Sequence, residues 1–248
     1  MNNIKAIGVI PARIKSSRFP EKVIHNIIGK PMILHVYNQA KKAELLNDII
    51  VATDSMKVVK VCDAYSIPVI LTSHTHKTGT DRVFELSTII DANIYVNIQG
   101  DEPLIKGEMI DLLLKPYLDS NFYGVTTLKT RIKNNNSIMN PNIVKVITDS
   151  NDFAIDFIRE IPAKSFNDKD IIYYKHIGLY SYPKELLSKI YNFPRSEREK
   201  KSSLEQLRFL DNNIQIKVME TPFDTIGVDV YDDIIRVEEV LKGIITCI

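Results

Sequence analysis

The sequence predicts an α/β fold, a mainly parallel mixed sheet flanked by helices on both faces. Three observations carry this expectation. Apolar, β-branched runs of strand length alternate four times with helix-length runs before residue 100. The links between them are short, as right-handed crossovers onto one parallel sheet require. Polar residues gather at the carboxyl ends of the strand-like runs, where ligands sit in open sheets of this kind.

The elements follow in order. "IKAIGVIPA" reads as a strand over residues 4 to 11, ended by Pro11, and the polar, basic "RIKSSRFPEK" after it as a loop. Pro31 opens the helix "PMILHVYNQAKKAELL", since proline suits a first helical turn. "DIIVAT" is a second strand, and "SMKVVKVCDAY" a helix with Ser55 as its N-cap. "IPVILT" is a third strand, "GTDRVFELSTII" a helix, and "NIYVNI" a fourth strand. In the less regular second half, "YGVTTLKT", "IVKVITD", "FAIDFI" and "HIGLYSY" read as strands. "PKELLSKIY", "SSLEQLRFL" and "VYDDIIRVEEVLKGI" read as helices, with the polar loop "PAKSFNDKD" among them. The later strands extend the first sheet, with an insertion. No linker divides the chain, so residues 1 to 248 are expected to form one domain.

Bulk properties exclude several function classes. A chain of 248 residues buries a substantial core without covalent staples. It is 44% hydrophobic and 25% charged, which is ordinary for a globular protein. The 32 basic and 31 acidic residues leave a net charge of +1, so there is no electrostatic case for nucleic acid or a membrane surface. Cys62 and Cys247 lie far apart in sequence, which argues against a disulfide framework and a thiolate metal site. The opening apolar run is too short for a signal peptide, and no run reaches membrane-spanning length. The expected location is the cytoplasm.

Arg13, Lys15, Arg18 and Lys22 crowd the loop beyond the first strand. Such a group is either a solvated basic loop or a clamp for a polyphosphate, to which arginine offers forked donors and lysine a compact charge. No Walker loop and no G-x-G-x-x-G is present, so a phosphate site here would rest on side chains and turn amides. In "NIQGDEP" the fourth strand ends on adjacent acids, Asp101 and Glu102. Asp101 either supports a turn or holds Mg²⁺, which takes one or two protein carboxylates plus substrate phosphates. Asp54 in "VATD" is expected to be structural. Asp229 in "GVDVYDD" is either an N-cap or a second metal ligand, should the fold bring it beside Asp101. The five histidines show no zinc spacing beyond "HTH", around which nothing else looks like a site. His176, Gly178 and Tyr180 alternate onto one face of a strand, either a core face or a polar ligand face.

Taken together, these motifs resemble the CMP-KDO synthetases, the 3-deoxy-manno-octulosonate cytidylyltransferase family. The likeness runs nearly end to end through "IPARIKSSRFPEKVIHNIIGKPMI", "IVATD", "KTGTDRVFE", "VNIQGDEP", "NPNIVKV", "HIGLYSY", "LEQLR" and "GVD", in the family's order. The resemblance implies a Rossmann-like nucleotidyltransferase fold, usually a homodimer, that uses CTP and Mg²⁺. A smaller strand-rich subregion, about 150 to 185, would make the dimer contact. It implies that Arg13 and Lys22 hold the triphosphate with Arg18 assisting. Pro11, Ala12, Thr78, Gly79, Arg82 and Gln99 would frame the cytosine. Asp101 and Asp229 would bind Mg²⁺. Lys22, Arg13 and Asp101 would carry the catalytic roles. Arg159, His176, Tyr180, Glu205 and Gln206 would contact the sugar acid. The product would be a CMP-sugar for lipopolysaccharide or capsule synthesis. The alternatives are a cytidylyltransferase for a different acidic sugar and a catalytically silent nucleotide-binding homologue.

Four features depart from the family pattern. Glu21 replaces a glycine beside Lys22, so its carboxylate must point away from a bound phosphate. Lys175 replaces the frequent arginine before His176, "SEREKKSS" precedes "LEQLR" without the usual proline, and "GVDV" replaces "GVDT". The last three are expected in the sugar-facing half.

Overall fold

β1 (Ala6–Pro11) is apolar on both sides: Ala6 and Ile10 enter one core cluster, Ile7 and Val9 another. Burial on both faces marks a central parallel strand. The structure, a computed structural model, describes residues 4–15, 19–119, 122–161 and 171–245. A small hairpin, β2 (Asn26–Ile27) and β3 (Lys30–Pro31), leads into α1 (Met32–Ala40), with Pro31 at the N-cap rather than inside the first turn. β4 (Asp48–Thr53) and α2 (Met56–Ala64) follow, and the Ser55 side chain caps α2 by accepting from the Lys57 amide at 3.2 Å. Next come β5 (Val69–Leu71), α3 (Gly79–Ile89), β6 (Ile94–Asn97) and α4 (Gly107–Asp119). The second half runs β7 (Val125–Arg131), α5 (Asn135–Met139), β8 (Lys145–Thr148), β9 (Ala154–Ile158) and β10 (Tyr174–Pro183). It closes with α6 (Lys184–Asn192), α7 (Glu197–Ser202), α8 (Gln206–Asp211), β11 (Ile216–Glu220) and α9 (Tyr231–Leu241).

The main sheet has the order β11-β7-β10-β6-β1-β4-β5. β1 pairs in parallel with β4 and β6, β4 with β5, and β7 with β11. β10 runs antiparallel to both its neighbours, β6 and β7. β8 and β9 form a hairpin that joins through β8 to β10 and stands off the main path. The expected mainly parallel mixed sheet is therefore present, and the later strands do extend it. α1, α2 and α4 bury Ile33, Val36, Val58, Met109 and Leu113 against one face. α3, α6 and α8 bury Val83, Leu86, Leu187 and Phe209 against the other. A third cluster, with Ile27, Met32, Leu104, Val228 and Ile234, seats α9 over the carboxyl end of the sheet.

The sequence reading named neither α4 nor β11. α4 contains Pro116, which weakens the helical signal, yet its Met109, Ile110, Leu113 and Leu114 are fully packed. β11 carries a period-two pattern, with Ile216 and Val218 buried and Lys217 and Met219 less so, but it is short. Among the described residues no helix is long and apolar enough to cross a membrane.

Candidate nucleotide and metal site

The carboxyl ends of β1 and β6 lie side by side, and the chain leaves both in tight turns. Gly100 makes this approach possible, since a Cβ there would stand 2.7 Å from the Pro11 carbonyl oxygen. Ala12 is held by backbone contacts to β4: its amide donates to Ala52 O at 2.9 Å, and its carbonyl accepts from the Thr53 hydroxyl at 2.6 Å. A cleft opens above these ends, lined by Pro11, Arg13, Lys22, Thr78, Gly79, Arg82, Gln99 and Asp101. Eight residues singled out in the sequence thus share one cleft. Arg18 lies outside the described residues.

One wall of the cleft is the N-terminus of α3. The Thr78 hydroxyl accepts from the Asp81 amide, and Asp81 accepts in return from the Lys77 and Thr78 amides. This reciprocal cap explains the acid in "TGTDR". Arg82, 3% exposed, donates to Asp54 and to Thr72 Oγ1, each at 2.7 Å, and to Ser73 O at 3.2 Å. The structural role expected of Asp54 is this ion pair. Gln99 donates through Nε2 to Gly178 O at 3.2 Å and to Asn97 Oδ1 at 3.4 Å, which joins the cleft floor to β10.

Lys22, 8% exposed, is the focus of the site. Its ammonium donates to Asp101 Oδ2 at 2.5 Å, to Val228 O at 2.7 Å and to Asp229 Oδ1 at 3.4 Å. Acids 128 positions apart in the chain (229 − 101) therefore reach one point in space. Asp229 is not the N-cap of α9: Asp233 accepts from the Asp229 and Val230 amides at 2.9 and 3.1 Å, which leaves the Asp229 carboxylate to Lys22. The Val228 amide donates to Asp101 O at 2.9 Å and ties the two acid-bearing loops together. Among the described residues no group of three or more His, Cys, Asp or Glu side chains forms a metal cage. Two carboxylates at one point beside a cationic cleft suit a hard ion completed by phosphate oxygens and water.

Glu21 takes a left-handed backbone conformation, φ 57°, which glycine adopts without strain. Its carboxylate pairs with Lys57 on α2 and does not line the cleft. The carboxylate points away from the cleft, as expected.

β10 carries two of the residues expected at the sugar acid, His176 and Tyr180. The rings of His176 and Tyr180 lie 5.4 Å apart, and His176 meets Phe157 edge-on at 4.9 Å. A register shift between Ile177 and Tyr180 opens the strand at Gly178. His176 Nε2 contacts the Thr127 hydroxyl at 3.0 Å, and burial, aided by the Lys175 charge, pulls its pKa down to about 3. Burial raises the Tyr180 phenol far above its ordinary range. Glu205 pairs with Arg208 at 2.6 Å, which favours its charged form, yet burial, with the nearby Asp81 and Glu199 charges, pushes its carboxyl up to about 7. Gln206 is buried beside it at the start of α8. Arg159 reaches Ser202 O at 2.9 Å and Pro141 O at 3.2 Å, which joins the end of β9 to the segment before Glu205.

Two sequence expectations need correction. Lys175 does not share a face with His176, expected at the sugar: alternation along β10 turns it to the other side, where it reaches Asp224 Oδ1 at 2.7 Å and Thr225 O at 2.8 Å. One member of the "HTH" pair does reach the cleft: His76 lines it and is held by Glu85, which also accepts from the Ser73 amide. Its signal was its place three residues before Gly79 at the α3 cap. Glu102 was read only as a neighbour of Asp101. Its carboxyl is buried behind that residue, and burial together with the Asp101 charge raises it to about 7.

A mainly parallel sheet with a basic loop after β1, a helix N-terminus across the cleft and paired acids at its mouth defines a nucleotidyltransferase. The cytidylyltransferase family model matches residues 7–216. A 3-deoxy-manno-octulosonate cytidylyltransferase of Koribacter versatilis is 47% identical over 97% of this chain and 91% of its own length. One from Geobacter metallireducens is 42% identical over 96% and 98%. A solved structure of CMP:2-keto-3-deoxy-manno-octonic acid synthetase complexed with CTP superposes with a TM-score of 0.91 at 36% identity, covering 97% of this chain and all of that one. The chain belongs to the 3-deoxy-manno-octulosonate cytidylyltransferase family.

Proposed function

We propose that this protein activates 3-deoxy-manno-octulosonate, or a close acidic relative, by transferring a cytidylyl group from CTP, in support of lipopolysaccharide or capsule synthesis. The observation that carries this reading is the meeting of Asp101 and Asp229 at Lys22, on the rim of the cleft lined by Arg13 and Gln99. The anomeric oxygen of the sugar acid attacks the α-phosphorus in line, the bond from that phosphorus to the β-phosphate oxygen breaks, and pyrophosphate leaves. The hydroxyl proton passes to solvent. Such transfers depend on positioning and electrostatics rather than covalent catalysis.

Pro11, Ala12, Thr78, Gly79, Arg82 and Gln99 frame the cytidine. Arg13 and Lys22, with Arg18, hold the triphosphate and offset charge growing on the departing pyrophosphate, so Lys22 exchanges carboxylate partners for phosphate oxygens as CTP enters. Asp101 and Asp229 are the side chains that would hold Mg²⁺, which supplies Lewis acidity to the α-phosphate and the attacking hydroxyl. Arg159 meets the sugar carboxylate, and His176, neutral at physiological pH, joins Tyr180, Glu205 and Gln206 at the sugar hydroxyls. The location is the cytoplasm, where CTP is made.

The working unit is a homodimer of single-domain chains, joined through the subregion at about 150 to 185. The β8–β9 hairpin stands off the main path of the sheet there and exposes Ile147 and Ile155, and Ile171 and Ile172 are exposed before β10. Ile155→Lys is expected to yield a monomer in sedimentation, and an unchanged mass would refute this contact. Pyrophosphate release, measured across a panel of nucleotides and sugar acids with Mg²⁺, tests the activity. Turnover with CTP and 3-deoxy-manno-octulosonate is expected, and none with any pair leaves the silent homologue.

A further inference from the structure

We infer that Lys175 is a positioning residue for Asp229, acting through the strap of irregular chain between β11 and α9. This rests on the proposed metal role of Asp229. The strap is anchored at its start, where the Thr221 amide donates to Lys129 O at 2.9 Å, and at its end, where the Val228 amide donates to Asp101 O at 2.9 Å. Residues 222 to 228 between these points belong to no helix or strand. Their conformation must come from side chains. Lys175 supplies it. From β10 its ammonium reaches Asp224 Oδ1 at 2.7 Å and Thr225 O at 2.8 Å, and Asp224 Oδ1 in turn accepts from the Thr225 amide at 2.7 Å.

The packing beneath the strap makes the anchor directional. Glu102 fills the space under Gly227, where a Cβ would stand 3.0 Å from Glu102 Oε1. Glu102 Oε2 is buried with no hydrogen-bond partner beneath the strap. One ammonium thus holds the strap down over the residue that supports it from below. Lys175 lies next to His176 in the chain but on the opposite face of β10. A single strand therefore serves the sugar side with one residue and the metal side with the next. Without Lys175, the strap loses its middle anchor two residues before Gly227, and Asp229 no longer meets Asp101 at a fixed separation.

The test is Mn²⁺ binding in the presence of CTP, followed by electron paramagnetic resonance, with pyrophosphate release measured alongside. Lys175→Met is expected to weaken Mn²⁺ binding about tenfold and to raise half-saturating Mg²⁺ in turnover by a similar factor, with CTP binding in the absence of metal unchanged. Lys175→Arg, whose fork spans the same two acceptors, is expected to restore both. If Lys175→Met fails to fold, Asp224→Asn, which removes the ion pair and keeps the cation, is expected to show the same loss of Mn²⁺ binding. Wild-type metal dependence in the variant that folds overturns the positioning role, whatever happens to kcat. Wild-type protein that binds no Mn²⁺ with CTP overturns it together with the metal assignment. Wild-type protein that binds Mn²⁺ but transfers no cytidylyl group overturns only the proposed activity.

Discussion

Replacing Lys22 with methionine keeps the length of the side chain and removes its charge. The ammonium makes three contacts, to Asp101, Asp229 and Val228 O, at a position 8% exposed. In turnover, losing one preorganised cation over the leaving pyrophosphate costs ~3 kcal/mol of barrier, roughly a hundredfold in kcat/KM. In stability the cost is smaller. The Asp101 side chain is 32% exposed and that of Asp229 52%, so solvent screens those pairs, and with the charged bond to Val228 O the expected loss is ~1–2 kcal/mol. For a chain of this length that lowers Tm by roughly 2–8 °C. The deletion also leaves two carboxylates facing one empty position, which a divalent cation fills. Millimolar Mg²⁺ without nucleotide should therefore raise the Tm of Lys22→Met while barely moving the wild type, where the ammonium holds that position. The assays are pyrophosphate release and thermal unfolding with and without Mg²⁺. Turnover within a few-fold of wild type, or the same Mg²⁺ response in both proteins, refutes the argument.

Asp101→Asn should remove turnover while the unfolding transition stays within a few degrees of wild type, and near-normal pyrophosphate release would end its metal role. Glu21→Gly should leave kcat/KM within about twofold, because the carboxylate pairs with exposed Lys57 and such surface pairs contribute ~0–1 kcal/mol. A drop as large as that of Lys22→Met would show that the loop is misread. His176 stays neutral in the folded protein down to about pH 3 but takes up a proton below about 6.5 when unfolded. Its contribution to stability is thus full above pH 6.5 and declines as pH falls toward 3. Urea unfolding at pH 7 and pH 5 should show His176→Gln losing about 1–2 kcal/mol less than wild type over that interval, and parallel losses would contradict the neutral assignment.

The sequence by itself determined the layered fold and, through its resemblance to a known family, most of the cleft. Strand and helix periods are local, so "AIGVI", "DIIVAT" and "NIYVNI" announce central strands, and ligand-facing polar residues must follow their carboxyl ends. The helix after "TGTDR" was legible for the same reason, and the structure adds its cap, Thr78 with Asp81 three residues on. The Lys175 anchor was not legible, because its acceptors lie 49 and 50 positions away. Only the tertiary structure decided that Asp229 leaves its own helix to Asp233 and turns toward Asp101 and Lys22. Spacing along a chain says which groups a residue can cap within a turn or two. Which distant charge it meets depends on how the sheet orders its strands and where the strap crosses their ends.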